Sequence, residues 1–476
     1  MNVIIRNPAG EDRAAYRSAA YRIIWRWHFY AGLFCLPFIV VLSLTGAVYL
    51  FKPQLDRLSE SAYDHMALTS APRSLDEQVA AALASMPGAR LDALELRADR
   101  ADAARVIVMK EGEGEDVAGY RVLVRPDTLQ ILDTVDERFT LSGLAGNIHS
   151  DMFLGVPGHV AMELAGAWAI VMIISGLYLW WPRDSRGLAG VLYPRLSSGR
   201  RLFWRDIHAV TGVWISFFAL FLLLTALPWT TVWGKSFRFS RSLGETFLVH
   251  QDWTTGPDDK QAQAKEKFEQ AAPAPAADPH AGHHGHMAAS PAPAAPDAGF
   301  DRVAPVAAAL GLADPVTISP PSPESPNWTV ATTTQNRMLR RSVELDPTTL
   351  QIVREKGFAT APMIDKAFMV GIAAHEGQLF GWLNQLLGLL TAIGYLVLVV
   401  SSVAMWWRRR PSGALGAPPA IVSPEPRLAP LVVGVIAALA LLLPTLGLSL
   451  LAVLAAEQVI RRFAPRAGGW LGLRPL

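Results

Sequence analysis

Apolar residues gather in long runs separated by polar segments. Four runs, His28–Phe51, His159–Trp181, His208–Trp233 and Leu379–Trp407, are long enough to span a bilayer. A helix crossing a hydrocarbon core about 30 Å thick needs on the order of 20 apolar residues. A fifth run, Leu431–Ala456 within segment 431–460, is as apolar but is interrupted by Pro444 and Gly447. It reads as one kinked span or as a hairpin of two short arms. The first run starts too late and is too long for the apolar region of a cleavable signal. The pattern predicts an integral membrane α-helical protein with a four-helix core and one or two further C-terminal membrane helices.

The segments between runs carry other periodicities. In 52–158, Leu75–Met86 is apolar at helical spacing, and Arg105–Met109 and Tyr120–Val124 alternate as strands. Pro126–Asp127 supplies a turn before a strand over Leu129–Leu132. In 234–378, Val303–Leu310 reads as helix and Trp328–Ala331 and Arg341–Leu345 as strands, with Asp346–Pro347 as the turn. Each segment is expected to hold a small α+β module. Residues 257–299, rich in Pro, Ala, Asp and His, lack hydrophobic periodicity and read as a disordered insertion.

Arginine placement orients the spans. The N-terminal segment 1–27 carries Arg6, Arg13, Arg17, Arg22 and Arg26, and loop 182–207 carries Arg183, Arg186, Arg195, Arg200, Arg201 and Arg205. Arg408, Arg409 and Arg410 open the linker 408–430. These segments are expected in the cytoplasm, with 52–158 and 234–378 on the far side. The tail 461–476, with Arg461, Arg462 and Arg466, favours the cytoplasm too, and hence the hairpin. The net charge of +2 adds little, because charges are sorted by side; no nucleic-acid partner is expected. Cys35 is the only cysteine, so disulfides and cysteine-ligated metal clusters within the chain are excluded.

The spans repeat in register. His28, Gly32 and Thr45 match His208, Gly212 and Thr225 at an offset of 180. His149, Gly155, Ser175, Trp180 and Trp181 match His375, Gly381, Ser401, Trp406 and Trp407 at an offset of 226. The run Thr128-Leu129-Gln130-Ile131 recurs as Thr349-Leu350-Gln351-Ile352, and the insertion accounts for nearly all of the 46-residue difference between offsets. The pattern predicts a tandem duplication, each half a helix, an external module and a second helix, related by an axis along the membrane normal.

Eleven histidines fall into three groups. His28, His208, His149 and His375 are the repeated ones; His280, His283, His284 and His286 cluster in the insertion; His65, His159 and His250 stand alone. A single histidine at a span boundary reads most simply as an interfacial side chain, but four matched across a repeat point to function. His28 and His208 begin helices leaving the cytoplasm, whereas His149 and His375 precede helices returning to it. Each pair can therefore face across the axis, one pair at each membrane edge. Two opposed imidazoles suit a bis-histidine haem b, giving two haems per chain; a closed zinc site usually wants four ligands. Gly32 and Gly212, one turn beyond their histidines, would let a flat macrocycle approach the backbone, or would serve helix packing. The HAGHHGH tract, His280–His286, is a loose accessory site for Cu, Zn or Ni or a drifting low-complexity tract.

The ordered set WRWHFYAG, NIHSDMFLG, SGLYLWWPR, DIHAVTG, AHEGQLFG and MWWRRRPSGALG resembles the PepSY-associated transmembrane family of bacteria. VRPDTLQIL and ELDPTTLQIV resemble the ends of its PepSY modules. The family includes inner-membrane ferric-siderophore reductases such as the ferrioxamine B reductase. The resemblance implies a bacterial inner-membrane location, His28, His149, His208 and His375 as haem ligands, and a haem-dependent ferric-chelate reductase. Its substrate would be a ferric siderophore and its electron donor a cytoplasmic reductant or a quinol. A PepSY-type protein restraining a peptidase and a Cu or Zn transport accessory are the alternatives.

Overall fold

A computed structural model of the chain describes residues 8–111, 117–182, 187–242, 264–269, 299–323, 325–418 and 430–473. The tract holding His280, His283, His284 and His286 lies outside them, as do His250, Arg6, Arg183 and Arg186. The chain divides into a helical unit (1–47, 148–249, 386–476) and a sheet unit (48–147, 250–385).

Among the described residues, four helices are long and apolar enough to cross a membrane: Ala20–Tyr49, Val156–Trp180, Arg200–Trp229 and Trp382–Arg409. The first and third begin earlier than the apolar runs suggest, so His28 and His208 each lie eight residues inside a span, about 12 Å of helix rise. The preceding turns, rich in Arg and Trp, form helix readily while their long side chains reach toward headgroup level.

The C-terminal apolar segment is two helices, Pro430–Leu442 and Pro444–Phe463, meeting at a 119° bend. The second arm turns back instead of extending the first. Pro444 suits the opening of a helix, where its missing N–H costs nothing. Gly447 makes the sharp turn possible: a Cβ there would stand 2.7 Å from the Ala440 carbonyl oxygen. Leu443 and Leu446 at the bend are buried with Ala31, Cys35, Ala167, Trp168 and Ile170. Trp168 stacks on Trp27, with ring centres 6.1 Å apart, and donates to Ser449 at 3.1 Å.

Glu163, the one acid within the second span, is buried and satisfied. It accepts from the backbone N–H of Val232 (2.8 Å) and Trp233 (3.1 Å), at the start of helix Val232–Ser242, and from Thr445 Oγ1 at 3.4 Å. A negative charge at a helix N-terminus meets two orphan donors and the favourable end of the dipole.

In the sheet unit, the two expected modules share one antiparallel sheet. Its strands are β1 (Arg90–Leu96), β2 (Ala104–Glu111), β3 (Val117–Val124), β4 (Ile131–Asp136), β5 (Val316–Ser319), β6 (Trp328–Thr332), β7 (Arg341–Leu345) and β8 (Ile352–Gly357). The order is β4-β3-β2-β1-β5-β6-β7-β8, joined by Leu94↔Ile318, Glu95↔Thr317 and Leu96↔Val316. Either module alone would expose β1 or β5 as an edge; pairing them removes both edges. Leu129, expected in a strand, instead turns with φ of 60°, and Leu350 turns likewise with φ of 56°. Each N–H bonds back four residues, to Arg125 and Asp346.

Helices Leu75–Ser85 and Phe300–Ala309 pack on the sheet, burying Val79, Ala82, Val303 and Ala307 against Val106, Val122, Ile318 and Trp328. Their N-termini exchange caps. Asp301 accepts from the N–H of Leu75 (3.1 Å) and Asp76 (3.3 Å), while Asp76 accepts from Phe300 (2.9 Å) and Asp301 (3.4 Å). A Cβ on Gly299 would meet the Asp76 carboxylate, so glycine permits the approach. Within the segment read as a disordered insertion, residues 264–269 are helical and Phe268 is buried against Met109 and Val117. Phe268 and Ala264 a turn earlier anchor that short piece, with Arg90 donating to the Phe268 and Glu269 carbonyls and Lys267 paired with Asp92 at 2.7 Å.

Candidate functional site

Within the helical unit, His28 and His208 come together. Their ring centres are 6.5 Å apart and their planes meet at 87°. His28 Nδ1 lies 2.9 Å from Ser175 Oγ, and His208 Nδ1 lies 3.1 Å from Ser401 Oγ. Each serine hydroxyl donates to its own helix, Ser175 to Met172 O at 3.1 Å and Ser401 to Val397 O at 2.7 Å. A hydroxyl has one proton, so toward the imidazole each serine accepts. With the serine protons on their helix carbonyls, both rings would carry hydrogen on Nδ1 and keep the lone pair on Nε2, the state in which a histidine binds metal. Metal-ligating histidines are commonly anchored in this way.

The spacing suits a metal between the rings. An ion bound at ~2.0 Å by one nitrogen of each ring would set the ring centres roughly 6 Å apart. Gly176 leaves room for the imidazole: a Cβ there would stand 3.2 Å from His28 Cε1. Gly32 and Gly212 stand against neighbouring helices. Cβ atoms on them would meet Met172 Cε at 3.6 Å and Leu398 Cδ2 at 3.7 Å, ordinary contacts that mark close helix packing.

His149 lies in the last turn of helix Leu141–Ser150 and belongs to the helical unit. Its Nδ1 is 3.0 Å from Thr45 Oγ1, and that hydroxyl donates to Val41 O at 2.7 Å. The same proton count leaves its lone pair on Nε2. A Cβ on Gly46 would stand 3.1 Å from His149 Cε1. His375 ends helix Met363–His375 in the sheet unit.

Thr45, Ser175 and Ser401 stood out in the sequence as repeat matches without a role; the histidine contacts supply one. Gly46 and Gly176 escaped notice because Ala226 and Ser402 stand at their offsets. The available signal was local: each glycine directly follows the hydroxyl residue that anchors a histidine, as Thr45-Gly46 and Ser175-Gly176.

Among the described residues, three potential metal-ligating atoms converge at His65, Asp99 and Asp102. Those groups serve the loop. Asp102 accepts from the His65 backbone N–H at 2.9 Å and from Arg97 Nε at 3.1 Å. His65 Nδ1 sits 2.7 Å from Asp99 Oδ2, a hydrogen bond that raises the imidazole pKa above its ordinary value.

These features define a class: a multi-pass helical membrane protein that carries an eight-stranded antiparallel sheet and, inside its helices, a pair of serine-anchored histidines. No curated protein sequence matches the chain. The family described as the PepSY-associated TM region matches residues 25–409, and the chain belongs to that family.

Proposed function

We propose that the protein is a di-haem b oxidoreductase of a bacterial inner membrane, passing electrons across the bilayer to a ferric siderophore. The observation that carries this reading is the His28–His208 pair, 6.5 Å between ring centres with both Nδ1 atoms anchored. At that spacing His28 and His208 would hold a haem iron between them through their Nε2 atoms.

A tandem duplication extends the reading to a second pair, and equivalent contacts support it. His28–Ser175 and His208–Ser401, like Gly32–Met172 and Gly212–Leu398, stand at the two sequence offsets of 180 and 226. The reciprocal Asp76 and Asp301 caps and the matched turns at Leu129 and Leu350 repeat the relation in the sheet. By that relation His149 and His375 hold the second haem. Thr45, which anchors His149, lies 17 residues beyond His28, about 26 Å of helix rise. The two sites would then stand near opposite faces, with the His28–His208 site on the cytoplasmic side according to the arginine distribution.

Haem b with two histidine ligands supplies a one-electron carrier with no open axial position. The chain supplies the setting. Ser175, Ser401 and Thr45 fix ring orientation and keep each Nε2 unprotonated. The cluster around Ala31, Cys35 and Trp168 keeps water from the helix contacts between the sites. Ferric iron is held more tightly than ferrous by hard oxygen chelators, so one electron delivered to the chelate loosens the metal without breaking the chelator.

A pyridine haemochrome assay on purified protein tests this directly, with two haem b per chain expected. His208→Ala should remove one spectral species and His149→Ala the other. A colourless preparation, or loss of the same species in both variants, would refute the reading.

A further inference from the structure

Beside the His208–Ser401 contact, the third and fourth spans form a concave surface of about 540 Å³. Trp204, Val400, Val403, Ala404, Trp407 and Arg408 line it. Trp204 precedes His208 by four residues on one helix, and Ala404 follows Ser401 by three on the other. The groove therefore starts level with Ser401, beside Val400, and runs roughly 6 Å along the helix axes to Trp204.

Its polar groups are all donors. The indoles of Trp204 and Trp407 and the guanidinium of Arg408 make no hydrogen bond or ion pair among the described residues. Arg410 lies over the face of Trp407, 3.8 Å from the ring centre, and orients that indole. Donors left open beside apolar walls favour a ligand that brings acceptors. Aromatic faces and a planar guanidinium favour a flat one.

We infer that this groove binds a membrane quinol, and that the quinol is the electron donor to the His28–His208 site; the second part rests on the haem reading of that pair. The isoprenoid tail would stay in the bilayer and the ring would lie against Trp204 and Trp407. Its oxygens would accept from the indoles and Arg408. A phospholipid phosphate would meet Arg408 too, but its acyl chains make no use of two open indole donors.

The chemistry balances. Oxidation of the quinol to the quinone releases two electrons and two protons. The electrons would pass singly to the one-electron carrier that His28 and His208 would hold. The protons pass to water at the membrane surface beside Arg408, because no carboxylate or imidazole lines the groove.

The test uses the full chain in nanodiscs, mixed anaerobically with decylubiquinol while haem reduction is followed optically. Ala404→Trp fills the groove, and Arg408→Gln removes its charged donor. Each should slow reduction by quinol by about tenfold or more, the loss of a charge-assisted hydrogen bond. Dithionite should still reduce the haem fully in both. An azidoquinone should label peptides spanning 200–210 and 396–409, displaced by decylubiquinone and not by phosphatidylglycerol. Wild-type quinol rates in both variants, or displacement by phosphatidylglycerol, would overturn the proposal. Labelling of a haem-free preparation would sink the haem reading and leave the quinone site standing, whereas a haem-loaded protein that is not labelled would sink the quinone site alone.

Discussion

Removing the Glu163 carboxylate should loosen the packing of the C-terminal hairpin. Glu163 accepts two backbone N–H groups, from Val232 and Trp233, and the Thr445 hydroxyl, all at a site where the acid is only 4% exposed. Glu163→Leu leaves those donors without an acceptor. Each buried donor so stranded costs about 1–3 kcal/mol, so at about 1.5 kcal/mol each the two backbone groups together lose about 3 kcal/mol. At ~2–4 °C per kcal/mol for a domain of this order, the unfolding midpoint should fall by about 6–12 °C. Glu163→Gln keeps one carbonyl acceptor and should lose about half as much. Cys35 makes the measurement simple. It is the only cysteine, fully buried in the cluster that holds Leu443 and Leu446 at the bend. A thiol-reactive fluorogenic maleimide therefore reports the opening of that cluster during heating. Unchanged midpoints in Glu163→Leu, or a larger loss in Glu163→Gln than in Glu163→Leu, would refute the reasoning.

Other outcomes follow from single contacts. Ser401→Ala should weaken haem retention at the His28–His208 pair by about 10–100-fold, measured as transfer to apomyoglobin, and Ser175→Ala should match it. Asp301→Ala removes the acceptor of the Leu75 and Asp76 N–H groups, leaves the Ser74–Glu77 capping box of helix Leu75–Ser85 in place, and should cost about 1 kcal/mol. Hydrogen exchange should speed up in residues 75–78 while residues 303–306 change less; equal protection in both variants and wild type would count against the exchanged caps. The Asp127 carboxyl accepts from the Thr69 N–H and hydroxyl and from Arg125, which hold it well below the usual carboxylate range. Its stabilisation is full above the ordinary Asp value near ~4 and is lost as pH falls through the depressed folded value. Asp127→Asn should flatten that acid-side loss, followed by near-UV circular dichroism. Deleting 271–298 should leave the sheet intact, whereas Phe268→Ala should raise exchange in β2 and β3, where Met109 and Val117 lose their cover.

Hydropathy alone located the four spans, because a bilayer demands a length of apolar helix that no other arrangement satisfies. It misplaced their first turns, since Arg and Trp lower hydropathy without ending a helix. The repeat offsets brought out His28, His208, Ser175, Ser401 and Thr45 before any contact was known. Whether two rings meet depends on helix rotation and packing angle, which pairwise identity does not encode; the 6.5 Å approach of His28 and His208 belongs to the tertiary structure. So do the true uses of the glycines. Gly32 and Gly212 matched in sequence yet face methyl groups, while Gly46 and Gly176 make room for imidazoles without any repeat to announce them.

Pro444 and Gly447 announced a break, but the 119° turn required the burial of Leu443 and Leu446 and the capping of helix Val232–Ser242 by Glu163. Strands β2, β3, β6 and β7 were legible from alternation, although only β6 and β7 bury alternate residues and β2 and β3 bury residues on both faces. β1 and β5 were not, because what defines them is each other: their pairing closes two edges that local sequence cannot see. Local periodicity determined which elements form and, through the repeat, which residues are equivalent. Only the packed chain decided which of them touch, because contact depends on the side-chain volumes and backbone turns of residues far apart in sequence.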